Sequence, residues 1–263
     1  MPARLFNREQ RERSRTRRAA ATRRYTSVVT PHEVQVWFRA TDALDAAAIA
    51  AATLVLSEEE RAQYRRFRVA RDARDYAAAH ALLRHALSAT GGQPPAQWRF
   101  DKTAAGKPLL IGNSADRASF SLSHTRDMVA CAVASGAAIG VDVECVDRTV
   151  DPEAIAARFF APAETAQIMT LEGEARRNRF FDLWTLKEAL VKALGLGMAV
   201  SLDSLAFTVG ADGGIRVDAP DVDADAWQFA LFAPGPRHRL AVAVGRPVSH
   251  PAKLIFRSSA HGA

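Results

Sequence analysis

The chain has 263 residues, 48% of them hydrophobic and 24% charged, with a net charge of +6 and two cysteines. That length can bury a good core, as one large domain or two small ones, and the apolar content is that of a globular protein rather than a disordered one. No apolar run is long enough to span a bilayer, the N-terminus lacks the apolar stretch of a secretion signal, and Cys131 and Cys145 have no C-x-x-C spacing. A cytoplasmic protein with no membrane segment, no disulfide scaffold and no zinc site is therefore expected.

The charge is unevenly spread. Residues 1–30 hold nine arginines and two glutamates, a net of +7, which leaves −1 for the rest of the chain. A nucleic-acid function would rest on that extension alone. With few large apolar residues and much like charge, residues 1–30 are expected to be disordered or loosely helical, as a solvated extension or an artefact of an upstream start codon.

In chain order, VQVWFR at 34–39 reads as a first strand. Residues 56–68 and 72–89 read as helices, the first opened by Ser57 with Glu60 three positions on, the pattern of a capping box. Gly91 and Pro95 bound the end of the second. Residues 119–122 and 128–134 read as strands joined by a turn at 124–127, and 139–144 as another strand. Short helices over 152–160 and 163–171 precede a long one over 178–194, closed by Gly195 and Gly197. Strands at 206–209, 227–232 and 240–244 complete a sheet, with 212–214 as a hairpin turn. The fold class is α/β (α+β), in two halves of similar size.

Two segments carry chemistry. In FFDLWTLKEALVKALGLGM at 180–198, an otherwise apolar helix contains Lys187, Glu188 and Lys192. Glu188 and Lys192, four apart, share a helix face. Taken alone they are an ion pair on a solvated surface; alternatively they are a carboxylate and an ammonium beside a ligand phosphate. In AAIGVDVECVDR at 137–148, Asp142 and Glu144 stand two apart on a strand and so share one face, with Val141 and Val143 on the other. Two carboxylates on one face repel unless something positive compensates. With Glu188 they make three hard oxygen donors, a set that suits a divalent ion such as magnesium together with waters and a substrate phosphate.

These segments, with LSEEERAQYRRF at 56–67, RDARDYAAAHALLRHAL at 71–87, WRF and GKPLL within 98–110, FSLSHT at 120–125 and RFFAPAE at 158–164, resemble the Sfp-type (surfactin-type) 4′-phosphopantetheinyl transferases in order and along most of the chain. The resemblance implies two related α/β subdomains with pseudo-twofold symmetry and an active site in the cleft between them. Residues 31–137 would form the N-terminal subdomain with the nucleotide contacts. Residues 138–248 would form the C-terminal one with the metal site and carrier-protein contacts, and 249–263 a C-terminal tail. It further implies transfer of phosphopantetheine from coenzyme A to a serine of an apo carrier protein, with release of adenosine 3′,5′-bisphosphate, by a monomer.

By the same resemblance Asp142, Glu144 and Glu188 hold magnesium, with manganese as an alternative. Glu188 acts as base, directly or through a metal-bound water, and Lys192 stabilises or protonates the leaving group, while Lys187 flanks the site. Arg71, Arg74, Lys107, Ser123, His124, Asp142 and Lys192 are the expected coenzyme A contacts. Glu60 and Gln63 depart from the family, standing where relatives use lysines. Ser121 replaces an asparagine and is expected to alter a turn, and His80 with Arg84 to pair structurally. Phe159, Phe160 and residues 165–169 are read either as a carrier-docking patch or as core. A metal-dependent nuclease, a non-catalytic coenzyme A-binding module and a structural protein are the competing classes. The near-neutral core offers nucleic acid no electrostatic track, and the three acids argue against the other two.

Overall fold

The computed structural model describes residues 33–103, 106–112, 118–197, 200–246 and 250–259, so the basic extension lies outside the described residues. The described chain opens with β1 (Glu33–Ala40), then α1 (Ala46–Leu54), α2 (Glu58–Tyr64) and the 22-residue α3 (Ala70–Gly91). β2 (Phe100–Lys102) and β3 (Pro108–Leu110) form a hairpin, followed by β4 (Ser119–Thr125), β5 (Met128–Ala134) and β6 (Ile139–Cys145). Next come α4 (Pro152–Phe159), α5 (Pro162–Met169) and the 22-residue α6 (Gly173–Leu194). The β7 (Ala206–Val209) and β8 (Ile215–Asp218) hairpin, β9 (Trp227–Gly235), β10 (His238–Gly245) and β11 (Lys253–Ser258) complete the fold.

Local chemistry sets several of these boundaries. Ser57 and Glu60 form the expected capping box at the start of α2, with bonds of 3.2 and 2.8 Å. Asp151 caps α4, and Pro152 occupies its first turn, where the missing N–H costs nothing. Gly92 (φ 70°) and Gly195 (φ 71°) end the two long helices in the left-handed conformation. The turn expected at 124–127 is tighter than that: β4 runs on through Thr125, and Asp127 adopts φ 63°. Asp75 accepts its N–H at 3.3 Å and Arg74 pairs with its carboxylate at 2.7 Å, so α3 holds this turn in place.

The strands make two main sheets, in the orders β11-β1-β5-β4 and β6-β10-β9. α3 covers one face of the first, where Leu82, Leu83 and Leu87 pack with Val129, Cys131 and Val133. The opposite face, through Ala130, Ala132 and Val36, meets Val141, Val143, Leu240 and Val242 of the second sheet. The remaining face of that sheet packs Ala241 and Ala243 against Phe181, Leu186 and Leu190 of α6. The layers therefore run helix, sheet, sheet, helix, each half repeating a long helix outside a sheet. The segment expected as a tail supplies β11, which pairs in parallel with β1 from Glu33↔Lys253 to Phe38↔Ser258, so the chain end returns to the first sheet. α1, β2, β3 and β8 are also elements that the sequence pattern did not reveal.

Gly140 brings α6 onto β6. A Cβ there would stand 1.8 Å from the Ala189 carbonyl oxygen and 2.7 Å from the Ala193 nitrogen, both helix backbone that no side-chain rotation can clear. Only glycine permits this approach, and it places Glu188 and Lys192 over the strand that carries Asp142 and Glu144. Gly140→Ala is expected to destabilise by about 3 kcal/mol, the upper end for overpacking. That lowers the melting temperature by roughly 5–10 °C, readable by calorimetry.

Candidate active site

β6 and α6 bring the three acids to one region. Asp142 is 4% exposed, and its Oδ1 accepts from the Lys192 ammonium at 2.6 Å and the Ser123 hydroxyl at 2.8 Å, while its buried Oδ2 has no hydrogen-bond partner. Glu144 Oε2 accepts from Arg148 at 2.6 Å and from Thr125 at 3.3 Å. Burial, then the neighbouring Asp142 charge, push the Glu144 carboxyl above the usual range, against the pull of Arg148. Burial likewise raises Glu188, with Asp142 and Glu144 adding to the effect and Lys192 opposing it. The three carboxylates thus feel one another.

The solvated Glu188–Lys192 pair allowed by the sequence is not what forms. Lys192 turns to Asp142, and no described residue hydrogen-bonds or pairs with Glu188. Among the described residues no group of three His, Cys, Asp or Glu side chains stands at the spacing of a closed metal site. Asp142 and Glu144 lean instead on Lys192 and Arg148. The donor chemistry still fits a hard divalent ion that keeps part of its water, since the bare Asp142 Oδ2 and the unpaired Glu188 are both carboxylate oxygens.

Glu188 and Lys192 form the polar end of a cavity of about 630 Å³, whose other walls include Phe120, Leu122, Val191 and Leu202. Lys107 and Ser121 also line it. The Lys107 ammonium is held by the Lys192 and Ala193 carbonyl oxygens at 2.6 and 3.2 Å, so it caps the C-terminus of α6 from across the cleft, and burial lowers its pKa.

The other expected nucleotide contacts divide by their partners. His124 is exposed at the end of β4, and no described residue bonds its ring. Protein packed around it lowers its pKa, with the charges of His80 and Lys192 adding to this. Arg71 is exposed, and Asp72 at 3.4 Å is its only polar partner among the described residues. Arg74 is committed to Asp75 and Asp127. Ser123 is 6% exposed and bonded on all sides. Glu60 receives His80 at 3.0 Å and Arg84 at 2.8 Å, so the two are held by a shared carboxylate rather than paired with each other as expected. Burial opposes its ionisation, yet hydrogen bonds from His80 and the Ser57 N–H and the nearby positive charges bring its pKa down to about 2.

Ser121 is a strand residue bonded to the Val141 N–H at 3.0 Å, not part of a turn. Lys187 does not flank the cleft as expected. It is fully buried, and its ammonium donates to Glu164 at 2.6 Å, to the Leu202 carbonyl at 2.9 Å and to the Leu205 carbonyl. The two phenylalanines separate: Phe160 (3% exposed) stacks on Phe180 in the core, whereas Phe159 (38%) stands at the cavity rim. Met169 is exposed as well. Sequence reasoning missed Thr125 and Arg148, the partners of Glu144; the alternating hydroxyls of S-x-S-x-T were the available signal for the first.

A cavity lined by Glu188 and Lys192, with the buried Asp142 paired to that lysine behind them, is the site of an enzyme whose chemistry uses charged groups. Residues 138–244 match the 4′-phosphopantetheinyl transferase superfamily, and residues 45–136 match the model described as "4′-phosphopantetheinyl transferase, N-terminal". A 4′-phosphopantetheinyl transferase of Bacillus pumilus, psf-1, is 31% identical over 74% of this chain and 81% of its own length. The Sfp transferase of Bacillus subtilis is 28% identical over 73% and 83%. HetI, a 4′-phosphopantetheinyl transferase of Nostoc, is 38% identical over 55% of this chain, which spans 61% of HetI. A holo-[acyl-carrier-protein] synthase of Thermotoga maritima superposes over 42% of this chain and 63% of its own, with a TM-score of 0.35 and 26% identity. The chain belongs to the 4′-phosphopantetheinyl transferase family and is an enzyme of that class.

Proposed function

We propose that the cleft moves the 4′-phosphopantetheine of coenzyme A onto the serine hydroxyl of an apo carrier protein, releasing adenosine 3′,5′-bisphosphate, with a magnesium ion (or manganese) held by Asp142, Glu144 and Glu188. The observation that carries this reading is the buried, unpartnered Asp142 Oδ2 in the same acid group as the unpaired Glu188. Bound there, the metal would supply charge neutralisation and polarisation of the pyrophosphate. Everything else falls to the chain's own residues.

Glu188 holds a carboxylate at the cavity with no hydrogen bond or ion pair from any described residue, which leaves it open to take the proton of the incoming serine, directly or through a water. The phosphoryl group is attacked by that serine oxygen as the bond to the bisphosphate breaks. Lys192, already within the polar end, offers its ammonium to the charge that develops on the leaving phosphate. His124 and Arg71, neither bound tightly by the protein, are the candidates for the nucleotide's phosphates, arginine through a bidentate fork. Arg74, Ser123 and Lys107 act on the protein instead, through the bonds described above. Phe159 and Met169 are the exposed apolar side chains available to a carrier protein. The enzyme is expected to work as a monomer in the cytoplasm.

The test is intact-protein mass spectrometry of an apo carrier protein incubated with the enzyme, coenzyme A and magnesium. A gain of one phosphopantetheinyl group, lost with EDTA, is the expected result. Coenzyme A binding without any gain on fatty-acid, polyketide and peptide carriers would overturn it.

A further inference from the structure

Three alternate residues on one face of β4, Ser121, Ser123 and Thr125, carry hydroxyls that meet β6. Each accepts a backbone N–H from β6 at a constant separation of 20 residues, namely Val141 at 3.0 Å, Val143 at 3.3 Å and Cys145 at 3.2 Å. β6 is the edge strand of its sheet, so these N–H groups have no strand partner there. Side-chain hydroxyls take the place of a backbone ladder, and the two sheets meet along this seam.

Two of the three rungs do more. Ser123 donates its proton to Asp142 Oδ1 at 2.8 Å, and Thr125 donates to Glu144 Oε2 at a longer 3.3 Å. A hydroxyl has one proton and two lone pairs. Ser123 gives the proton to Asp142 and accepts from the Val143 N–H and, at 3.0 Å, from the Lys192 ammonium. Its bonding capacity is then full, and it is 6% exposed, so nothing remains for a ligand phosphate.

The two acids are held alike. In each, the oxygen that takes the hydroxyl also takes a cation at 2.6 Å, Lys192 on Asp142 Oδ1 and Arg148 on Glu144 Oε2. The other oxygen is left over: Asp142 Oδ2 has no partner, and no described residue bonds Glu144 Oε1. We infer that the alternating hydroxyls of β4 are a positioning device for the metal acids, Ser123 and Thr125 fixing which carboxylate oxygen of Asp142 and Glu144 is presented to the ion. This rests on the metal reading proposed above. Ser121, bonded to the Val141 N–H and to no carboxylate among the described residues, is a rung without an acid, and it separates the structural role of the seam from the positioning role.

The experiment measures Mn²⁺ binding to the enzyme–coenzyme A complex from the free-ion electron paramagnetic resonance signal, beside melting temperature and coenzyme A affinity in EDTA. Orienting partners of metal ligands are typically worth 10–100-fold in affinity, so Ser123→Ala is expected to weaken Mn²⁺ binding about tenfold or more. Thr125→Val loses a smaller factor because its bond is longer, and Thr125→Ser restores the wild-type value. Ser121→Ala lowers the melting temperature by a similar amount yet keeps Mn²⁺ affinity. Equal Mn²⁺ affinity in Ser121→Ala, Ser123→Ala and Thr125→Val overturns the inference while leaving the metal reading intact. So does a Ser123→Ala loss confined to coenzyme A binding. A wild-type enzyme that binds no Mn²⁺ overturns both.

Discussion

Glu188→Gln is expected to reduce kcat for carrier-protein modification by about 10²–10⁴-fold, the usual worth of a positioned proton acceptor. The substitution keeps the shape of the side chain and removes its charge. Glu188 has no ion pair or hydrogen bond with any described residue to lose, so the fold has no reason to suffer. Indeed, taking away one of three mutually repelling carboxylates relieves the burial cost and the like-charge repulsion that raise its pKa, and stability is expected to be unchanged or slightly higher. KM for coenzyme A should move less than kcat, because the amide keeps the shape of the side chain and Lys192 is untouched. Steady-state kinetics with an apo carrier protein, together with a thermal melt, separates these effects. Loss of coenzyme A binding with kcat retained would mean that Glu188 contacts the ground-state nucleotide rather than the reacting proton.

Lys187→Met is expected to cost about 3–5 kcal/mol of stability, because it strands a buried carboxylate. Glu164 is 3% exposed, and accepts from the Ala161 N–H at 2.9 Å and the Phe207 N–H at 2.7 Å as well as from Lys187. Lys187 also binds the Leu202 and Leu205 carbonyls and lies over the Phe160 ring at 5.0 Å. One ammonium therefore ties α6 to α5 and to the segment entering β7. For a chain of this length the loss lowers the melting temperature on the order of 10 °C. The double variant Lys187→Met with Glu164→Gln should recover part of it, since a neutral amide oxygen can keep one N–H bond and no buried charge is left alone. A Lys187→Met enzyme with unchanged melting and a kcat defect would instead place that lysine at the reacting phosphate.

Much of this molecule is legible in its letters. The capping box of Ser57 and Glu60, the strand at 128–134, the strand at 206–209 with its following turn and the helix closed by Gly195 follow from local rules, because each depends on groups within a few residues of one another. Asp142, Glu144 and Glu188 could be picked out as a set for the same reason: a period of two on a strand and a charge inside an apolar helix are local anomalies. α1 was not legible, because AAAIAAATL has no apolar stripe and buries none of its residues. β11 was not legible either, since a parallel edge strand is defined by its partner, and β1 lies 220 residues earlier.

The acids, the lysines and the order of the motifs point to the class of chemistry without any knowledge of the fold. Packing assigns those charged groups their partners. Arg74 and Lys187, both cationic and both in motif positions, are consumed by Asp75, Asp127 and Glu164, while Glu188, His124 and Arg71 remain available. Lys192 pairs across the fold with Asp142 rather than along its own helix with Glu188. The physical reason is that a charge is assigned by whatever opposite charge or carbonyl stands within about 3 Å, and in a packed interior that neighbour usually comes from a distant part of the chain.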